Sequence, residues 1–237
     1  QIVAESNEAM KKEIDWFVGL SDYPFLIDSS AQEVRAFGVK YATEIGVADR
    51  AIHNSINASI TDEELAALKE SDVDSAIVLT FNAIEKGTKG KMEMMTKAAG
   101  GAKKSLMEYA KECGITRPLI DVAAMPLGAG SGATYRAVIA IKALFGLPVG
   151  AGFHNGASAW DWMKKWKKTH KEAFAPVDIG SNLVAGIVGA DYYLYGPIEN
   201  APMIFPAAAM VDIMKAESIE ELGLEVIAEK HPKKTTL

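Results

Sequence analysis

The chain is poor in cysteine: Cys113 stands alone among 237 residues. That excludes an intrachain disulfide framework and any multi-cysteine metal cluster, and it suits a reducing cytoplasm. Concentrated positive charge is also scarce. Lys and Arg number 25 against 31 Asp and Glu, the formal net charge is −6, and the cations are dispersed apart from one lysine-rich segment. The basic footprint of a duplex-binding protein is missing, so nucleic acid is not an expected partner. No apolar run approaches the roughly 20 residues that cross a bilayer. No G-x-S-x-G occurs, which removes the nucleophile elbow of a Ser-His-Asp hydrolase. The glycine-rich "PLGAGSGATYRA" lacks the Lys-Ser/Thr ending of a P-loop, and no acidic residue closes the next apolar run to hold a ribose. No signal-peptide pattern is visible, and the chain opens on Gln1 rather than Met.

Short β-rich runs, in contrast, are plentiful. "QIVAE", "PFLID", "RAIHNSI", "SAIVLTFN", "PLIDVAA", "PVGAGFH" and "DYYLYG" read as seven strands, with segments of helical period between them. Met10, Ile14, Phe17 and Val18 have the spacing of a helix buried on one side. Thr61 and Glu64 have the spacing of a capping box, which places a helix start after the third strand. The strands lack strict alternation, as parallel strands covered on both faces do. With no break in composition, residues 1–237 read as one α/β domain, either an open doubly wound sheet or a closed barrel. Polar residues close six of the strands: Glu5 and Ser6, Asp28 and Ser29, Asn54 and Ser55, Asn82, Asp121, then His154 and Asn155. Both architectures place chemistry at carboxyl ends of parallel strands, but ends spread so widely favour a barrel mouth. An eighth strand is then expected upstream of Gln1. Residues 85–101, rich in Gly and Lys, read as a surface loop near that mouth.

Asp28 and Asp121 each close an apolar run. A lone aspartate there commonly caps the next helix. Two of them with Glu5 at one mouth would raise one another's pKa and leave one able to hold a proton near neutrality, as a general acid must. Asn54, Asn82 and Asn155 add uncharged donors and acceptors, which suits a flat heterocycle with amide-like edges better than a phosphate ester. The glycine-rich segment reads as a tight loop that lets backbone approach a ligand or a neighbouring protomer. His53 and His154 lack a helical partner or a second cysteine, so hydrogen bonding or packing is expected of them rather than a metal site. "SAWDWMKKWKKTHKEAF" is expected to form one helix, with Trp162 and Trp166 four apart among lysines. It reads as a solvated charged face, or alternatively as a docking surface for an acidic partner or an anionic membrane. The apolar last helix is expected to pack on the barrel or to form an interface between protomers.

The segments "PFLIDSSAQEVRA", "HNSINAS", "PLIDVAAMPLGAGSGA", "HNGASAWDW", "VDIGSNL" and "YGPIENA" together closely resemble the MtrH family, the pterin-binding components of tetrahydromethanopterin S-methyltransferases from methanogenic archaea. The resemblance covers the whole chain. It implies a (β/α)8 TIM barrel of the pterin-binding methyltransferase type, here without its amino-terminal strand, and a homodimer. It implies methyl transfer from 5-methyl-tetrahydromethanopterin, or its sarcinapterin relative, to a cob(I)amide on a partner corrinoid subunit. Other components of a membrane complex, to which this cytoplasmic protein attaches peripherally, then pass the methyl to coenzyme M while pumping sodium ions. By resemblance Asp28, Asn54 and Asp121 bind the pterin, Asp121 at its pyrimidine edge. Asn155 lies near the methylated nitrogen, Asn57 belongs to the same recognition lip as Asn54, and Glu5 and Asn82 are looser matches. Asn155, Asp121 and Asp28 are the expected catalytic residues. The rival readings are a soluble methylcorrinoid:tetrahydrofolate methyltransferase of the same family, a non-catalytic scaffold component, and a barrel enzyme that binds a phosphate at "GAGSG".

Overall fold

Each of the seven apolar runs becomes a strand in the computed structural model, which describes residues 1–236. The chain divides into two units, Gln1–Asp121 and a second from Val122 onward. In the first, strands and helices alternate: β1 (Ile2–Val3), α1 (Asn7–Leu20), β2 (Phe25–Asp28), α2 (Gln32–Glu44), β3 (Ala51–Ile56), α3 (Asp62–Glu70) and β4 (Ser75–Leu79). Two helices then precede the last strand: α4 (Thr88–Thr96), α5 (Leu106–Glu112) and β5 (Arg117–Asp121). Each of these strands is parallel to the next in chain order, so the carboxyl ends of β1 to β5 share one edge. This is an α/β architecture in which helices connect successive parallel strands.

Local sequence explains most of these elements. Ser6 caps α1 by accepting the Ala9 N–H at 3.2 Å, and the helix buries Met10 and Ile14 completely. β4 is buried through Ser75–Val78, as a strand covered on both faces should be. β2 and β3 depart from that expectation. Phe25, Ile27, Ala51 and His53 are buried, while Leu26, Asp28, Ile52 and Asn54 between them are only half-buried. With a side-chain period of two, β2 and β3 therefore have one covered and one partly open face. The alternation ends at a bulge between Asn54 and Ile56, after which two successive residues turn inward.

Thr61 starts α3 by accepting the Glu64 N–H at 3.2 Å. The carboxylate of Glu64 does not complete the expected capping box. It turns into the core, where Arg35 of α2 donates to it twice, through Nε at 2.6 Å and Nη2 at 3.0 Å. Arg35 also donates through Nη1 to the carbonyl of Ser29, just beyond β2. The capping box that does close belongs to α5, between Ser105 and Glu108.

Residues 85–101 are a second correction. They hold α4, and Met94 and Met95 bury its inner face. The glycines that suggested a loop have packing roles instead: an added Cβ at Gly90 would overlap the Glu85 carbonyl oxygen.

The second unit contains α6 (Ser131–Phe145), β6 (Val149–Ala151), α7 (His154–Ser158), α8 (Asp161–Trp166), α9 (Phe174–Ile187), β7 (Tyr192–Tyr193), α10 (Ala201–Glu220) and α11 (Pro232–Thr235). β6 and β7 are parallel, and Val122 N–H donates to Gly150 O at 3.0 Å. The single helix expected over residues 158–174 is broken. Trp160 is extended (φ −69°, ψ 112°) between α7 and α8, and a 3-10 turn at Lys171–Ala173 precedes α9. What orders this stretch is ring stacking: Trp160, Trp162, Trp166 and His170 follow one another at centroid distances of 4.9, 5.1 and 3.9 Å. α10 carries Pro206 in its interior and leaves Met203, Phe205, Met210 and Met214 exposed, so much of its apolar surface does not pack inward. Among the described residues no helix is long and apolar enough to cross a membrane.

The Arg35–Glu64 pair yields a stability prediction. Burial alone would raise the Glu64 pKa, but His53 and Arg35 outweigh it and hold the carboxyl below its ordinary 4.5. A depressed folded-state value contributes stability that is present above pH 4.5 and lost as pH falls through the folded value. Glu64→Gln should cost about 3–5 kcal/mol in urea unfolding at pH 7, because it leaves a buried guanidinium without its counter-charge. A loss under 1 kcal/mol would show that the pair does not hold α2 to α3.

Candidate active site

Parallel pairing brings three of the expected residues to one edge of the first unit. Asp28 and Asn54 are direct cross-strand partners at the ends of β2 and β3. Asp121 ends β5 opposite Leu79 of β4. Burial pushes the Asp28 carboxyl above its ordinary pKa, while Gln1, whose Nε2 donates to Oδ2, and the Arg35 charge pull the other way. Asp28 thus keeps a proton to higher pH than an exposed aspartate. Asn54 is half-buried, and among the described residues its amide has no protein hydrogen-bond partner.

Their neighbours are committed to local structure. Asn57 Nδ2 donates to the Ser55 carbonyl at 3.1 Å, and its Oδ1 accepts from Ser59 N–H at 2.9 Å and Ser59 Oγ at 2.7 Å. This is a turn that fixes the backbone beyond β3. Glu5 is exposed and accepts from Ser30 Oγ at 2.7 Å, tying the ends of β1 and β2 together. Asn82 is buried; its Oδ1 accepts the Ile84 and Glu85 N–H groups at 2.9 Å each, and Nδ2 donates to Gly90 O at 3.4 Å. Its amide thus clamps the chain beyond β4 to the first turn of α4.

His53 is wholly buried on the helix side of β3. Its Nε2 lies 3.2 Å from Glu64 Oε1, outside the angular range of a directed hydrogen bond, so it packs in the core ion-pair cluster rather than at the strand-end edge. The sequence reading missed Lys91, which α4 carries to Asp121. Lys91 is 1% exposed, and burial pulls its pKa down to about 8 against the opposing field of Asp121. No local signal distinguishes it from the other lysines of residues 85–101.

In the second unit, Asn155 is exposed in the first turn of α7, directly after β6. His154 beside it is held below its ordinary pKa by burial, against the field of Asp178. Asp178 is raised by burial and accepts from Asn200 Nδ2 at 2.9 Å. Asp178 and Asn182 are buried in α9 and were not singled out from the sequence, although polar residues four apart on an apolar helix were the available sign. The glycine-rich loop is tight, as expected: Gly128 and Gly130 have φ of 85° and 110°, and Gly130 caps α6. Ala123, two residues beyond Asp121, has φ 51°, a left-handed conformation that costs a non-glycine residue roughly 1–2 kcal/mol.

Residues 1–227 match the family model described as the tetrahydromethanopterin S-methyltransferase MtrH subunit. This chain belongs to that family. It is 60% identical over 237 residues to the MtrH protein of Methanosarcina mazei, a tetrahydromethanopterin S-methyltransferase component, and 59% identical to its counterpart in Methanosarcina barkeri. Each alignment covers 98% of this chain and 75% of the relative. The corresponding component of a putative methyltransferase named mtx, from Methanosarcina acetivorans, is 43% identical over 98% of this chain and 74% of its own length.

The chain is therefore a methyltransferase of the MtrH family. For such an enzyme the edge of the first unit offers a proton-holding carboxyl, an open amide, and an aspartate facing a buried ammonium. Among the described residues no group of His, Cys, Asp and Glu could hold a metal ion. The clamp around Asn82 can be tested without substrate. Asn82→Ala strands two backbone N–H groups and should cost about 1–3 kcal/mol. Hydrogen–deuterium exchange of the Ile84 and Glu85 amides should accelerate at least tenfold; unchanged exchange would mean that other contacts hold α4.

Proposed function

We propose that this chain transfers the methyl group of 5-methyl-tetrahydromethanopterin, or tetrahydrosarcinapterin, to a cob(I)amide carried by a partner corrinoid subunit. The reaction belongs to the sodium-pumping methyl transfer to coenzyme M. The observation that carries the reading is the edge at which Asp28 and Asn54 stand as cross-strand partners in an MtrH-family chain. A pterin is flat, with alternating donors and acceptors along its pyrimidine edge. Carboxylates and an unengaged amide at the ends of parallel strands fit such an edge, and they fit a phosphate poorly. The proposal retains one TIM barrel for the whole chain, a homodimer, and peripheral attachment to a membrane complex from the cytoplasmic side. The 60% identity to a protein named for tetrahydromethanopterin, against 43% to the mtx protein, weighs toward the methanopterin substrate.

The chemical demand is clear. A methyl group on a tertiary amine has a poor leaving group, so the barrier falls if the nitrogen receives a proton or a hydrogen bond as the methyl departs. Within this proposal Asp121 accepts from the pyrimidine N–H groups, and Asn54 adds an amide to the same recognition edge. Asp28, with its raised pKa, holds a proton that reaches the nitrogen directly or through water. Asn155 turns its amide to the nitrogen and follows the change in its charge. The partner's reduced cobalt supplies the nucleophile. Asn82, Asn57 and Glu5 keep the strand-end loops in place and influence the pterin through them.

Anaerobic single-turnover transfer from 5-methyl-tetrahydromethanopterin to free cob(I)alamin, followed by loss of cob(I)alamin absorbance, tests the reading. The wild-type chain should react, and Asn155→Ala should lose about 2–4 kcal/mol of transition-state stabilisation, the range for one preorganised donor. Transfer at an unchanged rate in that variant would remove Asn155 from the reaction. Pterin binding without transfer by the wild-type chain would favour a scaffold role.

A further inference from the structure

Within the first unit one charged side chain has no place in the chemistry above. Lys91 lies on α4, 1% exposed, and faces the carboxylate that ends β5. A surface lysine could leave such a position at little cost. Here the backbone prevents it. Asn82 binds both Gly90 O and the N–H groups of Ile84 and Glu85, and only a glycine at position 90 lets the Glu85 carbonyl lie against the helix. Lys91 is the next residue, and its own N–H closes the first turn onto Gly87 O at 3.2 Å. Met94 and Met95, wholly or almost wholly buried one turn on, anchor the rest of α4. Three independent contacts thus hold an ammonium group against Asp121.

The other charged groups nearby are engaged elsewhere. On α4, Glu93 pairs with Lys97 at 3.0 Å and with Lys89 at 4.0 Å. In the preceding loop, Glu85 accepts the Gly87 N–H at 2.8 Å. On α5, Glu108 is tied to Ser105, and Glu112 pairs with Lys104 and Lys69. The field that opposes burial of Lys91 is that of Asp121.

We propose that Lys91 is a positioning residue that holds Asp121 ionised, so that Asp121 accepts the paired N–H donors of a heterocycle at the end of β5. A neutral carboxylic acid would offer one acceptor and one donor to a ligand that presents two donors. Asp121 is 6% exposed, and a carboxylate so little hydrated tends to take up a proton unless a cation stands beside it. The inference rests on the pterin-binding reading, with the heterocycle as the pyrimidine edge of the pterin. Because burial has brought Lys91 down to about 8, its support for Asp121 should fade as pH rises through that value.

Two measurements on the full chain test this. In the first, 13C-lysine protein is titrated by NMR, with the Lys91 signal identified by its loss in Lys91→Arg. Lys91 should titrate near pH 8, and at lower pH in Asp121→Asn, where the supporting charge is gone. An unchanged midpoint in Asp121→Asn overturns the coupling. In the second, anaerobic calorimetry follows binding of tetrahydromethanopterin from roughly pH 6.5 to 9.5, a window that brackets the Lys91 titration. Wild-type affinity should fall at least tenfold across the upper half of that range. Lys91→Met, whose fold is checked by circular dichroism, should bind at least tenfold more weakly at pH 7 and show no further alkaline loss. Lys91→Arg should remove the alkaline loss while keeping affinity. Pterin binding that Lys91→Met leaves unchanged at every pH overturns the inference alone. Absence of pterin binding by the wild-type chain overturns the functional reading, and this inference with it.

Discussion

A buried guanidinium must be paired, and much of the first unit is arranged around that requirement. Arg35 reaches Glu64 with two hydrogen bonds and the Ser29 carbonyl with a third, so one side chain joins α2, α3 and the turn after β2. Breaking such a pair costs far more than making it gains, because either partner alone remains desolvated and charged. The cluster therefore contributes specificity of arrangement more than net stability. It fixes the turn that begins directly after Asp28, and His53, packed beside Glu64, precedes Asn54 on β3. The two strand-end side chains of the candidate site are thus backed by the most constrained part of the core.

Burial also prepares these groups for chemistry. Removing water disfavours the charged form of any group, so it raises an aspartate and lowers a lysine. Asp28 moves up and Lys91 moves down to about 8, both toward the range in which a proton can be held or released near neutral pH. The means differ. Asp28 stands at a half-buried strand end, tempered by Gln1 and Arg35, whereas Lys91 is enclosed by a helix whose first turn is clamped to the chain beyond β4. One cause with opposite signs yields a candidate acid and a supporting cation on the same sheet edge.

The second unit solves different problems. Its lysine-rich stretch is ordered by a ladder of three tryptophans and a histidine, stacked between short helices. Asp178 and His154 oppose each other's burial, and Asn200 adds a hydrogen bond to the carboxylate. α10 leaves several methionines and Phe205 in solvent, an adaptable apolar surface of the kind that partner proteins cover.

All seven strands were legible in the sequence, as were α1, the start of α3 at Thr61 and the tight loop before α6, because period, capping and glycine placement are local properties of the chain. The polar strand ends Asp28, Asn54 and Asp121 were legible too, since a parallel strand must finish its apolar run where it leaves the sheet. Other features needed tertiary structure. Glu64 has the spacing of a cap, yet an arginine 29 residues away draws its carboxylate inward. Residues 85–101 read as a loop but form a helix, because Asn82 supplies the clamp and β5 supplies a charge for Lys91 to face. The helical period at 158–174 gave way to ring stacking. Sequence by itself determined where the backbone forms strands and turns, while the direction and charge of each side chain were decided by neighbours far along the chain, since burial and electric fields act through space.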